Sequence, residues 1–539
     1  MSQLYLLFNT VRYLKSRQIL GRLLKPMRGK IKGYSLPASP SFPHGKLPAS
    51  VAFPEHDSKN TGTDIWQGTF SFLNDVRALG RPVDWHPDAP LLWRFNLHYF
   101  NYLHCLDVDE QRTLCREWMV ENPVGKQPGW HPYPTSLRII NWCKAGFEAP
   151  DLLRSLYQQA AYLYRHLETH LLGNHLLENA RALVFAGSFF GEQGEAPDWL
   201  QRGLDVYREQ TPEQILEDGG HFERSPMYHA IMLEGYLDML NLLPATHPDR
   251  PWLEDAARRM VDFLAALTHP DGKITLFNDA SFGIAPAVPA LLGYARRVLN
   301  YEAQPKTCFS ASGYFVHDSE ELYCVVDAGP IGPDYIPGHA HADIFNYEVS
   351  LGKQRWIVDT GVYQYESGSM RDYVRSTQAH NTVTIDGVDQ AECWDAFRVA
   401  RRFPPVDVVW EQQEANASLQ GRFEGYGTLI GDQLVHERRM DIDSNRRVIN
   451  VSDRVTGRGT HRVESRVQFH PDVEVSSFDA TRLQLRCGER KATLSVEGGN
   501  IRIEQGWYCP EFGIRRRTQV AVIWVHETMP AACAYTFRY

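Results

Sequence analysis

The chain lacks the features that mark several classes of protein. Its nine cysteines are odd in number and contain no Cys-x-x-Cys pair, which argues against a dithiol or cysteine zinc motif and indicates mostly reduced core residues. No apolar run approaches the roughly eighteen residues of a membrane-spanning helix, so we predict no transmembrane segment. Low-complexity segments are absent, and a net charge of -9 leaves no general basic surface for nucleic acid.

Acidic residues are also absent from the first thirty-three positions, which are rich in arginine and lysine. The apolar stretch Leu4 to Phe8 precedes these charges, whereas a signal peptide has the opposite order. We therefore find no recognisable signal peptide, and the sequence leaves open a cytoplasmic location or export by a route that it does not reveal. Two interpretations remain: an amphipathic helix that docks on the body or on a membrane surface, or a helix that caps the fold.

Hydrophobic periodicity divides the rest of the chain. Its 539 residues, 43% of them hydrophobic, exceed what one core usually holds. Helical patterns such as Asp151 to His170 dominate before Cys308, and short alternating strands such as Ala492 to Val496 dominate after it. We predict an α+β multidomain protein in three parts. These are a basic helix and connection (1–59, irregular at Pro37 to Pro48), a helical catalytic domain (60–305) and an antiparallel β-sandwich (306–539).

Histidines and a carboxylate recur in the predicted β-half. His339 and His341 alternate in the segment 338–343, Asp359 ends a strand-like run, and His380 precedes another strand pattern. Imidazole and carboxylate groups are typical ligands of zinc or manganese, and a folded sheet would bring them together. No regular zinc-finger or His-Glu-x-x-His spacing is present. Loop histidines beside an unrelated aspartate therefore remain the alternative.

Two polar segments interrupt the helical half. In the first, Asn174 can cap the following helix, and His175 and Glu178 share one helical face. A capped helix with a surface His–Glu pair is the simpler interpretation of this segment alone. In the second, Pro226 suits a first helical position and Tyr228 follows at the mouth of the turn, as in a helix end that lines a cleft. An isolated tyrosine, however, is more often structural.

In combination, these segments resemble the signature of the heparinase II/III-like polysaccharide lyases. The matching segments are Asn174-His175, Ser225 to His229, His339 to Asp343, Asp359 to Gly361, Arg375 to Thr382, Trp93 to Phe100 and Trp130 to Trp142. The resemblance spans roughly residues 90 to 470, and the segment 375–382 is its most specific part. It implies an incomplete, alginate-lyase-like (α/α) toroid followed by a layered antiparallel β-sandwich, and a β-elimination reaction on uronic acids.

The resemblance also implies catalytic roles. Asn174, helped by His339 or an arginine, would neutralise the uronate carboxylate, because the C5 proton is otherwise a poor acid. His175 would remove that proton, since an imidazole titrates near neutral pH. Tyr228 would donate a proton to the leaving O4 and would act as the base for the opposite C5 epimer. The second role requires neighbouring arginines and histidine to lower its pKa.

Further ligands follow from the same resemblance. His341, Asp359 and His380 would hold a divalent metal, zinc or manganese, with a mainly structural role that ties the sandwich together and orients His339. The candidate substrate-binding residues are Trp93, Asn96, Tyr99, Trp130, Tyr133, Arg138, Glu178, Arg224, Tyr373 and Arg375. For the first six of these, a core role is equally compatible.

The expected partner is an acidic polysaccharide. A glycosaminoglycan (hyaluronan, chondroitin sulfate or heparan sulfate) is the first choice, with alginate as a further candidate. Two rival functions are a glycoside hydrolase acting on an acidic exopolysaccharide, with Glu223 paired with Asp218 or Asp279, and a glycan-binding or assembly protein without turnover. The sequence does not determine the oligomeric state, the polymer, or endo or exo action.

Overall fold

The computed structural model describes residues 3–28, 45–54, 56 and 58–539. The predicted connection Pro37 to Pro48 lies mostly outside these residues. The helices are α1 (Gln3–Val11), α2 (Ser16–Arg28), α3 (Gly62–Trp66), α4 (Leu91–Tyr99), α5 (Val108–Glu121), α6 (Pro132–Ala145), α7 (Pro150–Arg165), α8 (Gly173–Phe190), α9 (Ala196–Gln214), α10 (Pro226–Leu242), α11 (Arg250–Ala266), α12 (Val288–Leu299), α13 (Ser369–Arg375) and α14 (Gly425–Leu429).

Strands dominate from residue 308 onwards. The strands are β1 (Thr69–Phe72), β2 (Asp75–Ala78), β3 (Cys308–Phe309), β4 (Tyr314–Asp318), β5 (Leu322–Asp327), β6 (Asn346–Leu351), β7 (Gln354–Ile357), β8 (Val383–Ile385), β9 (Cys393–Trp394), β10 (Arg398–Val399), β11 (Val406–Gln413), β12 (Asn416–Phe423), β13 (Val435–Asp443), β14 (Val448–Thr456), β15 (Thr460–Gln468), β16 (Glu474–Asp479), β17 (Arg482–Cys487), β18 (Arg490–Gly498), β19 (Asn500–Glu511), β20 (Ile514–Thr528) and β21 (Ala531–Arg538).

Helix α8 lies at the centre of the helical half. It packs against α6, α7, α9 and α10, and α10 in turn contacts α11 and α12. Nearly every residue of α8 is buried, including the polar side chains of Asn174, Glu178 and Arg181 in its first half. The first turn of α8 is thereby held rigidly at the inner end of the cleft described below.

The β-half is built from antiparallel sheets. Five strands run in the order β3-β4-β5-β6-β7, eight in the order β11-β12-β13-β14-β21-β18-β17-β16, and four in the order β19-β20-β15-β8. Val349, Leu419 and Val463, one from each of these sheets, belong to a single buried apolar cluster. The sheets are therefore layers around one core, as in a sandwich.

The two halves share buried contacts. Val358 and Phe512 of the β-half belong to the same apolar cluster as Leu183 and Met260 of the helical half. Helices α1 and α2 also pack on the body, where the Trp394 indole nitrogen donates to the Thr10 hydroxyl at 3.0 Å. None of the described helices combines the length and the apolar character that crossing a bilayer requires.

Candidate active site

A large cleft lies where the helical half meets the loops of the β-half. Its volume is about 1450 Å³, which exceeds a typical small-molecule pocket and is sufficient for several sugar units. All four predicted catalytic residues line it: Asn174, His175, Tyr228 and His339. The structure thus brings together residues that are separated by as much as 165 positions in the sequence.

The start of α8 fixes the first two of these residues. Leu172 adopts a φ of 69°, a strained value for a residue with a side chain. Gly173 also has positive φ, and a Cβ there would lie 2.4 Å from Glu223 Oε1. Glycine therefore permits the close approach of Glu223 to the helix start, where Asn174 and His175 follow.

His175 has a buried carboxylate behind it. Its Nδ1 lies 3.2 Å from Glu168 Oε1, and Asn179 Nδ2 donates to the other oxygen of Glu168 at 3.1 Å. Burial favours the neutral imidazole, but Glu168, with help from Glu223 and Glu178, outweighs it and raises the pKa of His175. With Nδ1 facing Glu168, the Nε2 atom is left to exchange a proton.

Asn174 is anchored by Glu223. Its backbone nitrogen donates to Glu223 Oε1 at 2.9 Å and its Nδ2 donates to Oε2 at 2.8 Å. Burial opposes ionisation of Glu223, but the nearby His221 and His339 and the bonds from Asn174 lower its pKa. An amide nitrogen carries two hydrogens, so one N–H of Asn174 remains for a ligand in the cleft.

Tyr228 lies in the first turn of α10, which Ser225 caps by accepting from the Tyr228 backbone nitrogen at 3.3 Å. The Tyr228 hydroxyl is 3.0 Å from that of Tyr365, and its ring packs on His339 with centroids 4.1 Å apart. Burial and the adjacent Tyr365 raise the pKa of Tyr228 well above its ordinary value. The phenol therefore stays protonated, which suits a proton donor and not a base.

Asp279, between α11 and α12, connects the two halves at the site. Its carboxylate accepts from His339 Nδ1 at 2.9 Å, from His341 Nε2 at 3.0 Å and from both terminal nitrogens of Arg371. Burial opposes ionisation, but Arg371 and the two histidines hold the pKa of Asp279 well below its usual range. Asp279 thus orients His339 towards Tyr228 and is itself a poor proton donor.

The predicted metal ligands meet in a buried cluster. Each of His341, Asp359 and His380 contributes one donor atom, and these three atoms lie within 4.8 Å of one another. His341 Nδ1 and His380 Nε2 are buried and have no hydrogen-bond partner among the described residues. Burial lowers the pKa of His341 to about 3, so its imidazole is neutral, as a ligand must be. This donor set fits a divalent cation.

Neighbouring groups orient the cluster. Asp359 accepts from His380 Nδ1 at 2.7 Å, from the Gly361 backbone nitrogen at 2.7 Å and from the Asn346 amide. His341 is oriented by Asp279 through its other ring nitrogen. Such supporting bonds fix the tautomer of a ligating histidine, so His341 presents Nδ1, the nitrogen that lacks a partner.

The predicted substrate-binding residues divide into two groups. Asn96, Tyr99, Tyr133 and Glu178 line the cleft. Six others are not among the described residues that line it: Trp93, Trp130, Arg138, Arg224, Tyr373 and Arg375.

Backbone contacts account for the positions of these six residues. The indole nitrogens of Trp93 and Trp130 donate to the carbonyls of Asp75 and Asn122. The Arg375 guanidinium donates to four backbone carbonyls. The Arg224 guanidinium donates to three backbone carbonyls. The Arg138 guanidinium donates to the Gln159 side chain and to two backbone carbonyls. The Tyr373 hydroxyl accepts from the Trp507 backbone nitrogen at 3.4 Å. These donors hold structure together and do not face the cleft.

Sequence reasoning missed four residues of the site: Glu168, Tyr365, Arg371 and, except as a hydrolase acid, Asp279. Arg371 carried a usable signal, since it lies one helical turn before Arg375, where the most specific segment begins. Nothing in the local sequence distinguishes Glu168 or Asp279 from other acids. Asp218, the other hydrolase candidate, accepts from the backbone nitrogen and hydroxyl of Ser312 and is not among the described residues that line the cleft.

Two family descriptions match the chain. "Heparinase II/III N-terminus" matches residues 148–294, and "Heparinase II/III-like, C-terminal" matches residues 303–536. Together they cover more than two thirds of the chain, with the change from one to the other at the predicted boundary between helices and strands. The fold is that of a protein with a helical toroid followed by a β-sandwich. The chain belongs to the heparinase II/III family.

Individual relatives agree with this assignment. The chain is 27% identical to a heparin-sulfate lyase of Pedobacter heparinus over 373 residues, which are 59% of this chain and 55% of the relative. It is 28% identical to a heparin-sulfate lyase of Bacteroides stercoris over 303 residues, which are 49% of this chain and 45% of the relative. The alignments thus span about half the length of these curated relatives. A solved mutant of the heparan sulfate lyase HepC from Pedobacter heparinus has a TM-score of 0.63 at 19% identity, covering 97% of this chain and 88% of that one. The predicted fold class is confirmed.

Proposed function

We propose that the protein is a polysaccharide lyase that cleaves a uronic-acid glycosaminoglycan, heparan sulfate in the first instance, by β-elimination. The observation that carries the proposal is the pairing of a carboxylate-backed imidazole, His175, with a protonated phenol, Tyr228, in one cleft. The first is suited to remove a proton and the second to supply one. The choice of polymer rests on the names of the relatives.

The reaction needs a base, an acid and a carboxylate binder. His175 Nε2 takes the C5 proton, and the C5–H electron pair forms the C4=C5 double bond. The C4–O4 bond breaks with its electron pair moving to O4, which takes the proton of the Tyr228 hydroxyl. The remaining N–H of Asn174 and the His339 imidazole neutralise the uronate carboxylate and so stabilise the charge that develops beside C5.

The raised pKa of Tyr228 has a consequence for stereochemistry. A phenol that stays protonated carries the proton that the leaving oxygen needs, whereas the phenolate that would act as a base is scarce. Removal of the C5 proton therefore falls to His175 alone. We expect a preference for the uronate epimer whose C5 hydrogen faces His175, and little turnover of the opposite epimer.

A divalent metal, zinc or manganese, is part of the proposal. His341 Nδ1, one ring nitrogen of His380 and a carboxylate oxygen of Asp359 would hold it. When bound, the ion supplies positive charge that offsets the buried carboxylate and cross-links three loops of the β-half. Asp279 links this cluster to His339, so metal binding keeps His339 in place beside the cleft.

The test is a near-ultraviolet assay of the purified protein with added zinc or manganese. Heparan sulfate, chondroitin sulfate, hyaluronan and alginate are each incubated with it, and the absorbance of the conjugated unsaturated uronate is followed. A rise that Tyr228→Phe abolishes supports the lyase and identifies its polymer. Reducing ends without that absorbance would favour hydrolysis, and polymer binding with neither product would favour a glycan-binding or assembly protein.

A further inference from the structure

The N-terminal helices α1 and α2 form one wall of the cleft. Leu7, Thr10 and Val11 of α1 and Gln18 and Arg22 of α2 are among the residues that line it. The catalytic chemistry described above uses none of them. The wall is built from the basic segment whose role the sequence left open.

On one side, this wall is fixed to the helical half. Arg17 pairs with Glu209 of α9 at 2.7 Å, and Lys15 forms an ion pair with Glu213 of the same helix. A Cβ on Gly21 would lie 2.7 Å from the Cβ of His170, so the glycine allows α2 to approach the segment between α7 and α8 closely. Arg22 is the next residue along the chain.

On the other side, the wall is fixed to the β-half. The indole of Trp394 in β9 bonds Thr10, and the Arg402 guanidinium stacks on Tyr13 at 3.7 Å from the ring centroid. Gln18 Nε2 donates to the Tyr335 carbonyl at 3.2 Å. Helix α2 and the β9–β10 hairpin are thereby held on neighbouring parts of the cleft rim.

This arrangement brings two like charges together. Arg22 of α2 and Arg398 of β10 both line the cleft. The contacts of Trp394 and Gln18 hold the elements that carry these two arginines at one rim. Partial burial lowers the pKa of Arg22, and the positive charge of Arg398 lowers it further. Among the described residues no carboxylate forms an ion pair with Arg22, and the nearest partner of Arg398, Asp395, is 3.8 Å away and half exposed.

We propose that Arg22 and Arg398 form a binding site for an acidic group of the polysaccharide, a carboxylate or a sulfate, at the wall of the cleft made by α2. The charge of Arg22 has no carboxylate partner among the described residues, and that of Arg398 has only the partly exposed Asp395 at 3.8 Å. An anion between the two guanidinium groups would reduce their repulsion and accept charge-assisted hydrogen bonds. The stacking of Arg398 on Trp394, at 4.7 Å from the ring centroid, holds one of the two in position. The inference rests on the proposed function, because it assumes that the cleft binds an acidic polysaccharide.

The test compares Arg22→Gln, Arg398→Gln and the double variant with Arg17→Gln. Arg17 is the matched control, since it lies on the same helix and loses the same charge but is bound to Glu209 and Glu213 away from the cleft lining. Each cleft variant should raise KM for heparan sulfate about tenfold with little change in kcat, as expected for loss of one hydrogen bond to a charged group. Arg17→Gln should leave KM within about twofold.

A binding measurement separates this site from catalysis. The full chain carrying Tyr228→Phe is titrated with heparan sulfate oligosaccharides and with unsulfated heparosan oligosaccharides of equal length. Weaker binding of both in the Arg22→Gln background assigns a carboxylate, and weaker binding of the sulfated series alone assigns a sulfate. Unchanged affinity for both, or an equal loss in Arg17→Gln, would overturn the site. If the wild-type chain produces no unsaturated uronate but binding still depends on Arg22, the lyase proposal fails and this site stands.

Discussion

The exchange Tyr228→Phe tests the proposed proton donor with the least change to the structure. The substitution removes one oxygen, and with it the 3.0 Å bond to Tyr365. The phenylalanine ring keeps its packing on His339. The expected loss of folding stability is that of one hydrogen bond, about 1 kcal/mol.

The expected loss of activity is much larger. A positioned acid contributes about 10²- to 10⁴-fold to a rate, which corresponds to about 3–5 kcal/mol of activation free energy at 1.36 kcal/mol per tenfold. Initial rates of unsaturated-uronate formation from heparan sulfate measure this loss. Oligosaccharide affinity should stay near that of the wild type, because the aromatic ring and its packing on His339 are unchanged.

Tyr365→Phe is the matched control for this prediction. It breaks the same hydrogen bond from the other side and leaves the Tyr228 hydroxyl in place. We expect a similar change in thermal unfolding but activity within about tenfold of the wild type. The reasoning is refuted if Tyr228→Phe keeps more than about a tenth of the wild-type rate, or if both variants lose activity equally.

Three further predictions follow from the contacts of the site. Glu168→Gln removes the charge that raises the pKa of His175, so the acidic limb of kcat/KM, where the imidazole must lose its proton, should move to lower pH. Asp359→Ala, or chelation, should lower the melting temperature and the metal content by elemental analysis, since a ligand at a hundred times its Kd stabilises by about 2.7 kcal/mol. Arg371→Met leaves Asp279 buried without its main partner and should destabilise by about 3–5 kcal/mol in denaturant unfolding.

Each of these three has a contrary result or a control. An acidic limb that stays in place in Glu168→Gln would show that the carboxylate does not set the pKa of His175. Asp372→Ala, at an exposed position of α13, should leave melting and metal content unchanged, and equal effects at Asp359 would remove the metal claim. Arg439→Met breaks an exposed pair with Asp441 and should cost within about 1 kcal/mol.

Much of the fold was predictable from local patterns. The helix predicted at Asp151 to His170 covers most of α7, and the strand predicted at Ala492 to Val496 lies within β18. Side chains repeat with the period of the element that they form, so one stretch of sequence is enough to recognise it. The predicted domain boundaries stay predictions, although the last helix of the helical half ends at Leu299 and the next strand begins at Cys308.

The site was predictable where a motif carried it. The three metal candidates His341, Asp359 and His380 do converge, and the four catalytic candidates share the cleft. The binding residues were harder to predict, because an aromatic or arginine on a helix has the same local signature whether it faces a cleft or a core. Trp93 and Arg138 are fully enclosed by their neighbours, which only packing reveals.

The sequence by itself determined the order of helices and strands, the family and the types of side chain available for chemistry. These properties depend on residues that are close together along the chain or on motifs read in order. The tertiary structure alone decided that Glu168 lies behind His175, that Arg371 meets Asp279 across 92 positions, and that Arg22 and Arg398 line one cleft. Such contacts join residues that share no local pattern, since packing of distant elements selects them, and electrostatics then sets which groups hold or release a proton.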